Sequence, residues 1–180
     1  MMYRIAPVVL SNADSKVACT LTQLKASMGM VPNLFATMAN APVALDGYLA
    51  LKKVLSRGRL TDRQREILSL VVGQEDECQY CLSAHTQLSK AAGLSEADTL
   101  KARSGDGDDP FEHALALFAK AVVRERGHVS NEELERARKA GIDDGLVMEI
   151  IANVALNTLT NYVNEVAKTE IDFPEVQVTL

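Results

Sequence analysis

The stretch REILSLVVGQEDECQYCLSAHTQLSKAAGLS, Arg65–Ser95, decides how the chain is read. Its first part is apolar at helical intervals. Gly73 and the acids Glu75, Asp76 and Glu77 end one helix and begin the next, because acids favour a helix N-terminus. Gly93 supplies a C-terminal stop. Residues Cys78–Ala91 are therefore expected to be helical, with Cys78, Cys81 and His85 three and four positions apart on one face. Two thiols within disulfide reach beside an imidazole suit dithiol redox chemistry: one thiolate attacks, its neighbour resolves, and the imidazole moves the proton. His85, one turn after Cys81, is expected to make Cys81 the more stabilised thiolate. Glu66, one helix earlier, can fold back beside the pair to hold the imidazole tautomer or pass a proton.

Outward from this stretch the pattern stays helical. Residues 14–28 are periodic through Val17, Leu21 and Leu24, and Pro32 and Asn33 open a short segment through Met38. Pro42 suits the first turn of a helix that stops at Gly58. Thr61 with Gln64, Ser95 with Asp98, and Ser130 with Glu133 have the spacing of capping boxes. Phe111–Arg126 reads as an amphipathic helix, and Asp143 or Asp144 caps a last, most apolar helix reaching about Lys168. No segment alternates with period two. The expectation is an all-α, oligomeric helical bundle, one domain over residues 1–180, with a polar linker at Arg103–Pro110 between two helical halves.

The last helix carries Asn153, Asn157 and Asn161 at four-residue spacing, with Asn164 nearby. Buried amides need partners, so the stripe is read as solvating an exposed face or, in preference, as registering a subunit interface. Cys19 is expected in the core, His113 and His128 at the surface, and Tyr80 either in the site wall or donating into the site.

Composition narrows the function. The 180 residues are 47% hydrophobic and 24% charged, which suits a globular fold rather than disorder. Nineteen basic against 24 acidic residues give a net charge of −5, which opposes tight binding to nucleic-acid phosphates. The basic cluster Lys52, Lys53, Arg57, Arg59, Arg63 and Arg65 is read as solvated helix ends. No run of 18 apolar residues is present, so no membrane span is expected, and the N-terminus lacks a signal-peptide pattern, which favours a cytoplasmic address. Three cysteines are too few and too odd in number for a disulfide scaffold. Cys78, Cys81 and His85 supply only three of the four ligands of structural zinc, with only distant His113 and His128 or a carboxylate to complete the set. No flavin, haem or nucleotide motif occurs, so no cofactor is implied.

The spacing Glu66, Cys78, Cys81, His85 resembles the active-site signature of the AhpD-like alkylhydroperoxidases, within the carboxymuconolactone decarboxylase superfamily. The flanks MGMVPNLFATMANAPVALDGYLAL (28–51) and NTLTNYVNEVAKTEIDFP (157–174) resemble the peroxidase-related branch. The resemblance spans about Met28 to Pro174. It implies an all-α fold and a homotrimer or homohexamer. It also implies a hydroperoxide substrate and an external dithiol as electron donor. Cys81 would be the peroxidatic thiol and Cys78 the resolving one, with Glu66 and His85 relaying protons. Some members carry a relay histidine where this chain has Tyr80. True decarboxylases of the superfamily lack the Cys pair, which makes decarboxylation the weaker alternative here. The rival from another class is a non-catalytic oligomeric module that senses redox state or binds a metal.

Overall fold

The structure is a computed structural model that describes residues 3–180. Nine α-helices occur among the described residues, with no strand: α1 Ser15–Met28, α2 Asn33–Met38, α3 Pro42–Leu55, α4 Asp62–Glu75, α5 Gln79–Leu88, α6 Glu96–Ser104, α7 Pro110–Arg124, α8 Asn131–Lys139 and α9 Asp144–Ala167. The fold is all-α, as the sequence pattern predicts.

The ends of these helices follow local chemistry. Thr61, Ser95 and Ser130 each close a reciprocal capping box with the residue three positions on. Asp14, Asp109 and Asp143 accept backbone N–H groups as caps, and Pro42 and Pro110 open α3 and α7. Helix α3 stops at Leu55, before Gly58. Gly58 instead leaves room for a carboxylate: a Cβ there would fall 2.1 Å from Glu149 Oε1. Glu149 uses that space to accept from the Arg59 and Leu60 N–H groups at 2.9 and 3.0 Å, tying the α3–α4 turn to α9.

Helix α4 is the hub. It is buried from Ile67 to Gly73 and packs on α5, α6, α7 and α9. One apolar cluster joins α4, α7 and α9 through Ile67, Leu70, Leu115, Phe118 and Ile150. A second joins α1, α2, α3 and α5 through Leu21, Phe35, Leu45 and Tyr48, and takes in both Cys78 and Cys81. The two thiols thus sit where α5 meets the second cluster, with α9 behind.

Two sequence expectations need correction. Arg103, assigned to the exposed linker, is the last turn of α6 and is buried. Its guanidinium donates to Gln74 Oε1 and to the Gln177 and Val178 carbonyls, so it latches the C-terminal tail onto α4. Helix α9 is, by length and composition, apolar enough to cross a membrane, contrary to the expectation that no such segment exists. Half of its apolar window is buried against the rest of the chain, as in a core helix.

Candidate active site

Glu66, Cys78, Cys81 and His85 come together where α4 meets α5. Glu66 Oε2 lies 2.8 Å from His85 Nδ1. The carboxylate accepts from Nδ1–H in the neutral ring, which leaves Nε2 as the basic atom. Cys78, expected as the first residue of the helix, lies just outside it: it is the N-cap of α5, and its Sγ accepts from the Cys81 N–H at 3.3 Å. The two free sulfurs are 2.6 Å apart, so side-chain rotation alone can bring them to bonding distance. Cys78 is fully buried and Cys81 is 3% exposed.

The two thiols differ in access. Cys81 lines a narrow void of about 40 Å³ together with Phe35, Tyr48, Lys52, Tyr80 and His85. Phe35, Tyr48, Lys52 and His85 also line the adjoining cavity of about 520 Å³, with Glu66 in its wall. That larger cavity is mostly apolar, bounded by Leu24, Met28, Leu49, Leu55, Leu88 and Leu156. Cys78 borders neither space.

The electrostatics also differ from expectation. Burial pushes the Cys81 thiol well above its ordinary pKa, the neighbouring Cys78 adds to this, and Asp76 pushes the same way. A hydrogen bond from Asn164 opposes them. Helix position next to His85 therefore does not yield a resting thiolate, because desolvation outweighs it. Of the acids before the motif, Glu75 is taken up by Arg124 and Lys120, while half-buried Asp76 accepts from Asn161 Nδ2 at 2.8 Å. Burial raises the Asp76 pKa as well, with the Asn161 bond acting against it. Tyr48 is raised by burial, and secondarily by Cys81 and Glu66, so its phenol stays protonated. Crowding lowers Lys52 although its outer side is exposed; Glu66 partly restores it.

Tyr80 belongs to the wall of the narrow void, and its hydroxyl is engaged away from the sulfurs. Its hydroxyl donates to Asp172 Oδ1 at 2.7 Å and accepts from the Leu34 N–H at 3.2 Å, while its ring meets Phe173 edge-on. Asp172 also accepts from the Asn33 N–H at 2.8 Å, so Tyr80 pins the C-terminal tail to the start of α2. The asparagine stripe is neither solvated nor at an outer surface. Asn153, Asn157, Asn161 and Asn164 are all buried within the chain. Asn157 Nδ2 donates to the Asn153 carbonyl, Asn161 to Asp76, and Asn164 to Cys81 Sγ at 3.3 Å. The need of those amides for buried partners was the signal that could have located Asn164 at the site; Tyr48 and Lys52 carried no signal of their own.

Other expectations resolve elsewhere. Cys19 is exposed on α1 rather than in the core. The basic cluster disperses: Arg63 is caged by Asp98, Asp108 and Glu112, Arg59 pairs with Asp143, Arg65 with Asp62, and Lys52 edges the cavity. His113 bonds Asp106 at 2.6 Å. Among the described residues no group of three or more His, Cys, Asp or Glu side chains is arranged to hold a metal ion.

Comparison with known proteins agrees with this architecture. Residues 38–117, from the end of α2 into α7, match the carboxymuconolactone decarboxylase family. No curated protein matches the chain. Among solved structures, an alkylhydroperoxidase AhpD core, a peroxidase-related protein from Ralstonia eutropha JMP134, superposes with a TM-score of 0.85 at 21% identity, covering 96% of this chain and 93% of that one. A peroxidase-related protein from Silicibacter sp. TM1040 gives 0.80 at 20% identity over 92% and 91%. The debrominase Bmp8, as a cysteine-to-alanine variant in complex with 2,3,4-tribromopyrrole, gives 0.80 at 18% identity over 96% and 93%. At these identities the superpositions establish the shared fold. The chain thus carries a carboxymuconolactone decarboxylase family match over residues 38–117 and shares the fold of these AhpD-like and peroxidase-related structures over nearly its whole length.

Proposed function

We propose that the chain is a thiol-dependent hydroperoxide or disulfide reductase that works through Cys78 and Cys81, with Glu66 and His85 moving protons. The observation that carries this reading is the asymmetry of access: Cys81 borders the void that opens toward His85 and Glu66, while Cys78 lies sealed behind it. Cys81 is accordingly the thiol that meets substrate, and Cys78 the one that resolves.

The chemistry follows from the buried, protonated Cys81. A resting thiol needs a base at the moment of reaction, and the His85 imidazole, which is backed by the Glu66 carboxylate and lines the same void as Cys81, serves as that base. The Cys81 proton passes to His85. The thiolate then attacks the terminal oxygen of R–O–O–H, and the O–O bond breaks to give Cys81–S–O–H and R–O⁻. The imidazolium returns its proton to the alkoxide, releasing R–OH. Cys78 next attacks the sulfur of the sulfenic acid. The S–S bond forms, the S–O bond breaks, and the departing hydroxide leaves as water with the Cys78 proton. Two electrons and two protons from an external dithiol then restore both thiols.

The mostly apolar cavity suits a hydroperoxide with a carbon skeleton. Its donor is an external dithiol, and its working form a homotrimer or homohexamer. Exposed Leu159, Tyr162 and Val166 on α9, beside Ile5, Ala41 and Ala44, support the assembly by forming an uncovered apolar groove. The test is steady-state hydroperoxide consumption with dihydrolipoamide, thioredoxin or glutathione as donor. Turnover with one of them is expected, lost in Cys81→Ser and lowered about 10²–10⁴-fold in His85→Ala. Absence of turnover with every donor, or stoichiometric zinc in the purified protein, would overturn the reading in favour of a redox-sensing or metal-binding module.

A further inference from the structure

The scheme above leaves one buried group at the reactive sulfur without a task. Asn164, in the last turn of α9, is 3% exposed, and its Nδ2 donates to Cys81 Sγ at 3.3 Å. Its Oδ1 is buried and has no hydrogen-bond partner among the described residues. The other amides of the stripe donate to carbonyls or to Asp76, as a buried amide must. Within the stripe only the amide that touches the sulfur has an acceptor oxygen that is both buried and without a partner among the described residues. Native chains retain few such orphaned groups, and each calls for an explanation.

The charged and titratable groups around Cys81 make the donor side of this amide more telling. Helix α4 brings Asp76 at its C-terminal end and Glu66 toward the cavity; α5 brings Cys78 and His85; α3 brings neutral Tyr48 and Lys52; the tail brings Asp172 behind Tyr80. Helix α9 brings amides and no charge. Asp76 and Cys78 resist ionisation of Cys81, and burial resists it most. The Asn164 N–H is the hydrogen bond that favours the thiolate, since a donor to sulfur stabilises the charged form.

We propose that Asn164 is a further catalytic residue: its N–H stabilises the Cys81 thiolate once His85 has taken the proton, and its unpartnered Oδ1 accepts the hydrogen of the sulfenic acid formed on the same sulfur. This rests on Cys81 being the thiol that meets the peroxide. Before oxygen transfer the sulfur is an acceptor and needs the NH₂ end of the amide. After Cys81–S⁻ and R–O–O–H have become Cys81–S–O–H and R–O⁻, the site gains an O–H donor one bond beyond the sulfur. The carbonyl end of the same amide then gains the partner it lacks in the resting chain.

The test uses the full chain carrying Cys19→Ser and Cys78→Ser, so that Cys81 is the sole thiol. Asn164→Leu removes both ends of the amide, and Asn164→Asp keeps the shape while losing the donor. The rate of iodoacetamide alkylation is followed against pH. In both variants the midpoint is expected to move to higher pH and the rate at neutral pH to fall at least tenfold. Dimedone trapping after one equivalent of cumene hydroperoxide then reads the sulfenic acid, whose lifetime is expected to shorten in Asn164→Leu, which lacks an acceptor, and to be kept in Asn164→Asp, which retains one. If Asn164→Leu does not fold, as judged by circular dichroism, Asn164→Asp and Asn164→Gln carry the comparison. Unchanged alkylation profiles in folded variants would overturn the thiolate role. A sulfenic-acid lifetime unchanged in Asn164→Leu, or in Asn164→Gln where Asn164→Leu does not fold, would overturn the acceptor role. Alkylation uses no peroxide, so shifted profiles in a chain that never forms a sulfenic acid would uphold the thiolate role while overturning the acceptor role and the peroxidase reading together.

Discussion

Replacing Tyr80 by Phe separates a relay residue from a tail anchor. The substitution keeps the ring and its edge-on contact with Phe173 but deletes a hydroxyl that serves two partners. Its bond to the Asp172 carboxylate is charge-assisted, and such bonds contribute about 1.5–3 kcal/mol. Asp172 is half-buried and keeps its bond from the Asn33 N–H, so water recovers part of that loss. The Leu34 N–H is buried and is left without its partner, at a cost of about 1–3 kcal/mol. A net loss of about 2–3 kcal/mol follows. At roughly 2–4 °C per kcal/mol for a chain of this size, the Tm should fall by about 4–12 °C. Differential scanning calorimetry reads the shift, and hydroperoxide turnover per folded chain should stay within about twofold. An unchanged Tm accompanied by a large fall in turnover would refute the reasoning, because the hydroxyl would then be working at the sulfur and not on the tail.

Gly58→Ala drives a Cβ into the Glu149 carboxylate and breaks its two bonds to the α3–α4 turn, so chemical denaturation should show a loss of about 1–3 kcal/mol. The Asp98 carboxyl is pulled down to about 2, first by the Ser95 N–H and also by Arg63. Its contribution is full above its ordinary value near 4 and is lost as pH falls from there through 2, so Asp98→Asn should show a flatter stability profile over that interval. Sedimentation should find a trimer or hexamer at micromolar concentration, and Tyr162→Lys with Val166→Glu should dissociate it. A wild-type monomer would refute that assembly.

Much of this was legible in the sequence because helix ends are written locally. Thr61–Gln64, Ser95–Asp98 and Ser130–Glu133 carry both halves of a reciprocal bond within four residues, and no tertiary contact is needed to read them. Glu66 and His85 were legible for a related reason: adjacent helices joined by a short turn fold back on each other. What was not legible depends on which face meets which neighbour. Helix α9 is apolar around most of its circumference, so periodicity could not tell whether the asparagines looked outward or toward α4 and α5. Arg103 sits among turn-forming polar residues, and only the returning tail explains its burial. Gly58 looks like a helix stop because the carboxylate that needs its space lies 91 positions later, at Glu149. Cys78 was placed inside the helix when it caps it, which sets its sulfur on the Cys81 N–H and seals it from the cavity.

The central claim is that Cys81 meets the peroxide and Cys78 resolves it. One equivalent of cumene hydroperoxide added to the reduced chain, followed by peptide mass spectrometry, tests it most directly. The account predicts a Cys78–Cys81 disulfide with exposed Cys19 still reduced, and a sulfenic acid on Cys81 in the Cys78→Ser variant. Oxidation confined to Cys19, or a sulfenic acid on Cys78 formed at full rate in Cys81→Ser, would contradict it.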